Sequence, residues 1–286
     1  NGQQNARNCG IKKCKMRIWF DYLPKKTNAN TLNRFEFTDE LLIQNNKNHE
    51  ELFIFDKFKD NELGLKTYNY FKKKLNKKST FFIGSSWGWV EFFLSKNFSL
   101  IASDVNEKYV NFHKNNKDFK YIKFDILDMS EKKEFNNKFE QVIVNNIEYL
   151  FDQDQIQKCM RNVNYIAKKD ADVFFIFRSK DSFMIKIIDN YLSPFENKLK
   201  TILKNFKKDK WYLTKNHHGF RRSEKEFTKI IEKNYFKVQS VYKDMFESEY
   251  NNLTIIRMLK ISKFLSIIFF KLHPHLNIFH TKKNRL

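Results

Sequence analysis

The chain has 286 residues, of which 41% are hydrophobic and 17% aromatic, and 32 of them are phenylalanines. This length and apolar content allow a sizeable core and exclude a chain that is disordered throughout. The 54 lysines and arginines against 33 acids give a formal net charge of +21 at pH 7. Such a charge indicates either a polyanionic partner or the lysine- and asparagine-rich composition of an A/T-rich genome.

The cysteines and the hydropathy pattern indicate in which cellular compartment the chain is expected. Cys9, Cys14 and Cys159 have neither the spacing of a metal site nor that of a disulfide framework. We therefore expect no metal and a reducing, cytoplasmic location. No stretch reaches the roughly 18 consecutive apolar residues that a membrane-spanning helix needs.

The predicted elements begin after a polar, irregular segment. Residues 1–50 predict an N-terminal extension that is only partly folded, and residues 51–75 predict one or two amphipathic helices, because their apolar residues recur at helical spacing. Short apolar runs then alternate with helical patterns. They predict strands at 80–83, 99–103, 121–124, 141–144 and 172–177, with helices at 87–95, 107–115 and 153–167 between them.

The second half of the pattern closes the sheet. A helical region is predicted at 183–206, and a helix at 223–234 begins with a capping box formed by Ser223 and Glu226. Strands at 236–242 and 253–261 are joined by a connection too short for a crossover helix, which predicts an antiparallel hairpin. The sequence thus predicts an α/β fold: a doubly wound, seven-stranded sheet of five parallel strands and a C-terminal antiparallel hairpin, with helices on both faces.

These elements predict a division of the chain into segments. Residues 51–262 form the α/β domain, and residues 181–235 are an insertion on its substrate side. Residues 263–286 are an apolar and basic tail, in which 264–279 either packs back on the sheet or lies on a membrane surface.

A small-residue turn follows the first strand. Gly84 and Gly88 lie where the backbone passes close to a ligand, and Ser85 and Ser86 add little bulk. Asp104 ends the second strand about twenty residues later, the spacing at which an acid accepts hydrogen bonds from a ribose. Because parallel strands end at one edge of a sheet, this pattern predicts a nucleoside site there.

Over about residues 75–262 the chain resembles the class I S-adenosylmethionine-dependent methyltransferases, which have a Rossmann-like domain. The resemblance implies that Gly84, Ser86 and Gly88 form the turn beneath the methionine moiety. It implies that Asp104 binds the ribose hydroxyls and that Asp125, in Phe-Asp-Ile after the third strand, binds the adenine amino group. The fourth strand and its loop, residues 139–150, would pass beneath the cofactor.

The full cofactor set implied by the resemblance is Gly84, Ser85, Ser86, Gly88, Asp104, Val105, Asp125, Ile126 and Asn145. The sequence departs from the family pattern at three positions. Phe82 stands where many members carry an acid two residues before the first glycine, and Ser86 replaces the middle glycine. Tyr149 stands where many small-molecule methyltransferases have a histidine.

A second group of residues suggests the acceptor side. His217 and His218, in a glycine-containing loop, are candidate bases for the proton of an acceptor hydroxyl. Arg178, Arg221 and Arg222 are candidate substrate contacts, because a guanidinium grips a carboxylate or phosphate with two hydrogen bonds. The alternative for the loop arginines is a solvated basic surface.

We expect methyl transfer to a small-molecule, sugar or lipid-linked acceptor. Three alternatives stay open: an RNA or DNA methyltransferase, an NAD-dependent oxidoreductase, and a methyltransferase-like scaffold without catalysis. The first is encouraged by the charge but lacks an Asn/Asp-Pro-Pro-aromatic motif, and the second lacks the third glycine of G-x-G-x-x-G. The scaffold is suggested by Phe82 and Ser86. The oligomeric state is not indicated.

Overall fold

The fold is described from a computed structural model, over residues 50–76, 78–129, 132–179, 181, 220, 222–244 and 276–284. The strands are β1 (Thr80–Ile83), β2 (Leu100–Asp104), β3 (Tyr121–Lys123), β4 (Phe139–Asn145), β5 (Ala167–Arg178), β6 (Phe236–Asp244) and β7 (Leu276–Lys283). The helices are α1 (Phe55–Phe58), α2 (Glu62–Lys74), α3 (Trp89–Ser95), α4 (Glu107–His113), α5 (Gln153–Ile166) and α6 (Glu224–Lys233). Short 3-10 helices cover Glu50–Phe53, Lys133–Phe135 and Glu148–Leu150.

The strands form one seven-stranded sheet in the order β3-β2-β1-β4-β5-β7-β6. β1 to β5 run parallel, and β7 pairs antiparallel with both β5 and β6. The predicted fold class is therefore confirmed. β1 is buried at all four positions, as expected for a central parallel strand that is covered on both faces.

The last strand lies later in the chain than the sequence predicts. The predicted strand at 253–261 is outside the described residues, whereas β7 occupies part of the predicted tail. β7 lies between β5 and β6, and Ile278 and Phe279, which point to opposite faces, are both fully buried. The prediction of a tail is therefore wrong for 276–283, and so is that of a membrane contact for 276–279.

Two aromatic clusters fill the space between sheet and helices. On one face, α5 and α6 cover Phe81, Phe139 and Phe177, and the ring of Phe177 stacks on Phe227 of α6 with centroids 4.5 Å apart. On the other face, α2, α3 and α4 cover the strands with a second cluster that includes Phe82. The many phenylalanines thus account for both sides of the core.

Helix caps agree with the sequence pattern. Ser223 and Glu226 form the predicted capping box of α6, and Asp152 and Gln155 form another at the start of α5. The predicted helical region 183–206 lies outside the described residues. Of the helices in the described ranges, none is long and apolar enough to cross a membrane.

The position of β7 inside the sheet can be tested by truncating one of its buried side chains. We expect Phe279→Ala to lower the free energy of unfolding by about 3–5 kcal/mol, because it leaves a cavity between β7, Phe177 and Phe227. Lys282→Ala, at an exposed position of the same strand, should change it by no more than about 1 kcal/mol. Urea unfolding of the two variants measures the difference, and equal small effects would contradict the placement of β7.

Candidate functional site

Four polar or small residues meet at one edge of the sheet. Gly84 follows β1, Asp104 ends β2, Asp125 follows β3 and Asn145 ends β4. The register brings them together, because Ile83 pairs with residues next to Asp104 and Asn145, and Asp104 pairs with the end of β3. The predicted convergence at the carboxyl ends of the parallel strands is therefore present.

The turn after β1 is held by the end of β2. The amides of Gly84 and Ser85 both donate to the carbonyl of Ser103, at 3.0 and 2.9 Å. Gly84 has a φ of +80°, and a Cβ there would lie 2.3 Å from Cγ2 of Ile147 in the loop after β4. Position 84 therefore requires glycine for two reasons, its backbone conformation and the close approach of this loop.

Asp104 is the polar centre of the edge. Its Oδ2 accepts from the Ser86 amide at 2.9 Å and its Oδ1 from the Asn106 amide at 3.0 Å. Burial raises the pKa of this carboxyl, and the surrounding amides partly offset that effect. The side chain that caps α4 belongs to Asn106, so Asp104 is not the helix cap. Each carboxylate oxygen can accept a further hydrogen bond from a ligand.

A ring cluster supports the turn from β3 and α4. The Tyr121 hydroxyl donates to the Ser86 carbonyl at 2.5 Å, and the His113 ring stacks on Tyr121 at 4.8 Å. His113 Nε2 also lies 2.8 Å from the Trp87 carbonyl. Sequence reasoning missed this support, because Tyr121 is 35 residues from the carbonyl it holds. Ser86 has a left-handed backbone with a φ of 51°, and its carbonyl accepts the Tyr121 hydroxyl in this conformation.

Glu91 is a second carboxyl at the site and was not predicted. It lies on the inner face of α3 and its side chain is only 1% exposed. Burial raises the pKa of Glu91 to about 7, although its own backbone amide and the nearby side chains of Ser85 and Asn145 act in the opposite direction. The signal in the sequence is a single acid inside the apolar run WVEFFL, at an inward position of a helix.

The remaining predicted cofactor residues lie around this centre. Val105 is half-buried directly after Asp104, and Asp125 is half-buried with its Oδ1 accepting from the Leu127 amide at 2.9 Å. Ile126 is buried in the core, with its carbonyl accepting from Asn162. Their roles toward a cofactor stay predictions. Gly88, with a φ of +73°, starts α3.

Arg222 has a different role from the one predicted. Its guanidinium is buried and donates to the carbonyls of Glu148, Phe151, Asp152 and Phe220, at 2.7 to 3.0 Å. These bonds use four of its five N–H groups. We therefore assign Arg222 to the support of the loop after β4 and not to the substrate.

The other predicted acceptor residues are only partly placed by the structure. His217, His218 and Arg221 lie outside the described residues. Arg178 ends β5 at the same sheet edge and pairs with Leu276 of β7. In the described part of the chain, no three His, Cys, Asp or Glu side chains are arranged to hold a metal ion.

Comparison with known proteins identifies the fold. No protein family model matches the sequence, and no curated protein matches it. A SAM-dependent methyltransferase from Methanosarcina mazei superposes with a TM-score of 0.51 at 12% identity, over 76% of this chain and 97% of that protein. A protein from a study of the conversion of a disulfide bond into a thioacetal group during echinomycin biosynthesis superposes with a TM-score of 0.50 at 11% identity, over 76% and 80%. The chain thus has the fold of class I SAM-dependent methyltransferases.

The requirement for glycine in the turn leads to a test. Gly84→Ala should lower the free energy of unfolding by about 2 kcal/mol or more, because it combines a left-handed backbone with a clash against Ile147. In a double-mutant cycle with Ile147→Ala, which removes the clashing methyl, we expect a favourable coupling of about 1 kcal/mol. Denaturant unfolding of the four proteins gives this coupling, and strict additivity would show that Ile147 does not press on the turn.

Proposed function

We propose that the chain is an S-adenosylmethionine-dependent methyltransferase that acts on a small-molecule, sugar or lipid-linked acceptor. The observation that carries the proposal is the Asp104 carboxylate. It is fixed by two backbone amides at the end of β2, directly beside the glycine turn. An acid held in this place suits the two hydroxyls of a ribose, which donate two hydrogen bonds to one carboxylate.

The turn suits a nucleoside without a pyrophosphate. A pyrophosphate is bound by backbone amides that point at it, as in phosphate-binding loops. Here the amides of Gly84, Ser85 and Ser86 are already bonded to the Ser103 carbonyl and the Asp104 carboxylate. The buried carboxyls of Asp104 and Glu91 would also repel phosphates. This arrangement favours S-adenosylmethionine over a nicotinamide dinucleotide.

Methyl transfer requires the protein to align the acceptor with the methyl group more than to form a covalent intermediate. Bound S-adenosylmethionine supplies a methyl group that is already activated by its positively charged sulfur. Asp104 and the glycine turn would hold the nucleoside and the methionine moiety at the edge of the sheet, and so position the methyl group. An acceptor hydroxyl also needs a base, for which His217 and His218 are our candidates, with Arg178 and Arg221 as candidate acceptor contacts.

A nucleic-acid acceptor is the competing outcome for the second substrate. The formal charge of +21 favours it, but the sequence lacks the Asn/Asp-Pro-Pro-aromatic motif of amino-methylating enzymes of that class. Transfer of a labelled methyl group to RNA or DNA, with none to small-molecule fractions, would replace our proposed acceptor class and keep the proposed cofactor.

Calorimetric binding of S-adenosylhomocysteine tests the cofactor assignment. Wild-type protein should bind it, and Asp104→Asn should weaken binding about 10- to 100-fold, because the ribose loses hydrogen bonds to a charged acceptor. Asp118→Asn, at an exposed position after α4, is the matched control and should bind like the wild type.

NADH serves as the control ligand in the same experiment. We expect no measurable binding of NADH at concentrations that saturate the site with S-adenosylhomocysteine. A folded wild-type protein that binds neither ligand would contradict the enzyme assignment and favour the scaffold. Binding of NADH alone would favour the oxidoreductase.

A further inference from the structure

Glu91 is buried in a setting that ordinarily excludes an acid. Its residue exposure is 1%, and the cluster around α3 is formed by apolar and aromatic side chains such as Phe82 and Phe93. Within the described residues, no lysine or arginine forms an ion pair with it. A buried carboxylate without a cation costs several kcal/mol, so folding alone does not account for an acid at this position.

The carboxyl faces the candidate site and not the interior of the helix layer. The groups that act on it are the side chains of Ser85, which follows β1, and Asn145, which ends β4. The titratable groups near it are Asp104 of β2 and Tyr121 of β3, and the charge of Asp104 adds to the effect of burial. Glu91 therefore belongs to the same edge of the sheet as the glycine turn.

Two buried oxygen atoms at this place make no hydrogen bond of good geometry within the described residues. They are Oε1 of Glu91 and Oγ of Ser85. Buried polar atoms in native proteins are nearly always hydrogen-bonded, so this pair indicates a ligand group that donates N–H or O–H bonds. A cationic donor fits best, because it would also neutralise the carboxylate.

We infer that Glu91 accepts a hydrogen bond from the α-ammonium group of the methionine moiety of the cofactor, an inference that rests on the proposed function. An ammonium group has three N–H donors and a positive charge, and so satisfies both a carboxylate and a neighbouring hydroxyl. The sulfonium has no donor and would leave these oxygens unbonded. Glu91 also places an acid on α3 of a chain that has Phe82 on β1, on the same face of the sheet.

The burial of Glu91 makes the stability of the protein without ligand depend on pH. The pKa of Glu91 rises from 4.5 to about 7 on folding. Wild-type protein therefore loses stability as the pH rises through this window, because the carboxyl ionises freely in the unfolded chain but is held protonated by burial in the folded protein. Glu91→Gln removes this loss, so we expect its Tm to exceed that of the wild type at about pH 8, with a smaller difference near pH 5.

Two ligands separate a contact with the ammonium group from a general effect on the site. S-adenosylhomocysteine carries the ammonium group, and 5′-methylthioadenosine has the same nucleoside without the amino-acid part. At about pH 8, Glu91→Gln should weaken S-adenosylhomocysteine about 10-fold or more and leave 5′-methylthioadenosine within about twofold of wild type. Asp104→Asn should weaken both ligands, and the exposed control Glu134→Gln should weaken neither.

Proton release provides a readout that a structural role would not change. Near pH 6.5 the wild-type protein should release most of one proton when it binds S-adenosylhomocysteine, because the ammonium group stabilises the ionised form of Glu91. Calorimetry in buffers of different ionisation enthalpy measures this release, which should disappear in Glu91→Gln.

The possible failures are distinguishable. Equal weakening of both ligands in Glu91→Gln, or unchanged binding of both, would overturn the assignment of Glu91 and leave the proposed function standing. A lower Tm of Glu91→Gln at both pH values would also overturn it. Wild-type protein that binds neither ligand would overturn the proposed function, and the assignment of Glu91 with it.

Discussion

The candidate site depends on the way the end of β2 holds the turn after β1. The Ser103 carbonyl accepts two amides of the turn, and the Asp104 carboxylate accepts a third from Ser86. These bonds exist only because β1 and β2 pair in parallel, with Ile83 opposite Ser103. The sheet register therefore sets both the shape of the turn and the direction of the acid.

A second layer of contacts holds this turn from outside the sheet. Tyr121 and His113 form hydrogen bonds to the carbonyls of Ser86 and Trp87 in the turn. In the loop after β4, Ile147 packs closely against Gly84. Arg222 in turn fixes that loop by bonding its carbonyls from the start of α6. Four separate parts of the chain thus converge on a few residues. Such over-determined geometry is typical of sites that must be rigid before a ligand arrives.

Two buried acids at the site, Asp104 and Glu91, oppose folding because their carboxylates lose hydration. Asp104 is compensated by backbone amides, whereas Glu91 has no cation beside it among the described residues and lies near the second acid, Asp104. An acid that is unfavourable for folding is understandable if a positively charged ligand completes its surroundings. Phe82 occupies the position where many class I methyltransferases carry an acid. In this chain the acid near the turn is Glu91, which lies on α3 on the same face of the sheet.

Local patterns were sufficient for the parallel half of the sheet, for the capping box of α6 and for the residues at the strand ends. Alternating apolar runs, glycine positions and an acid at the end of a strand follow from backbone sterics and burial, which are local. The placement of β7, the clamp formed by Arg222 and the inward direction of Glu91 were not predictable in this way. Each depends on a partner that is remote in sequence: β7 on β5, Arg222 on the loop after β4, and Glu91 on the ends of β1 and β4. An apolar run has the same sequence pattern in a tail as in a buried strand, so only tertiary packing distinguished the two.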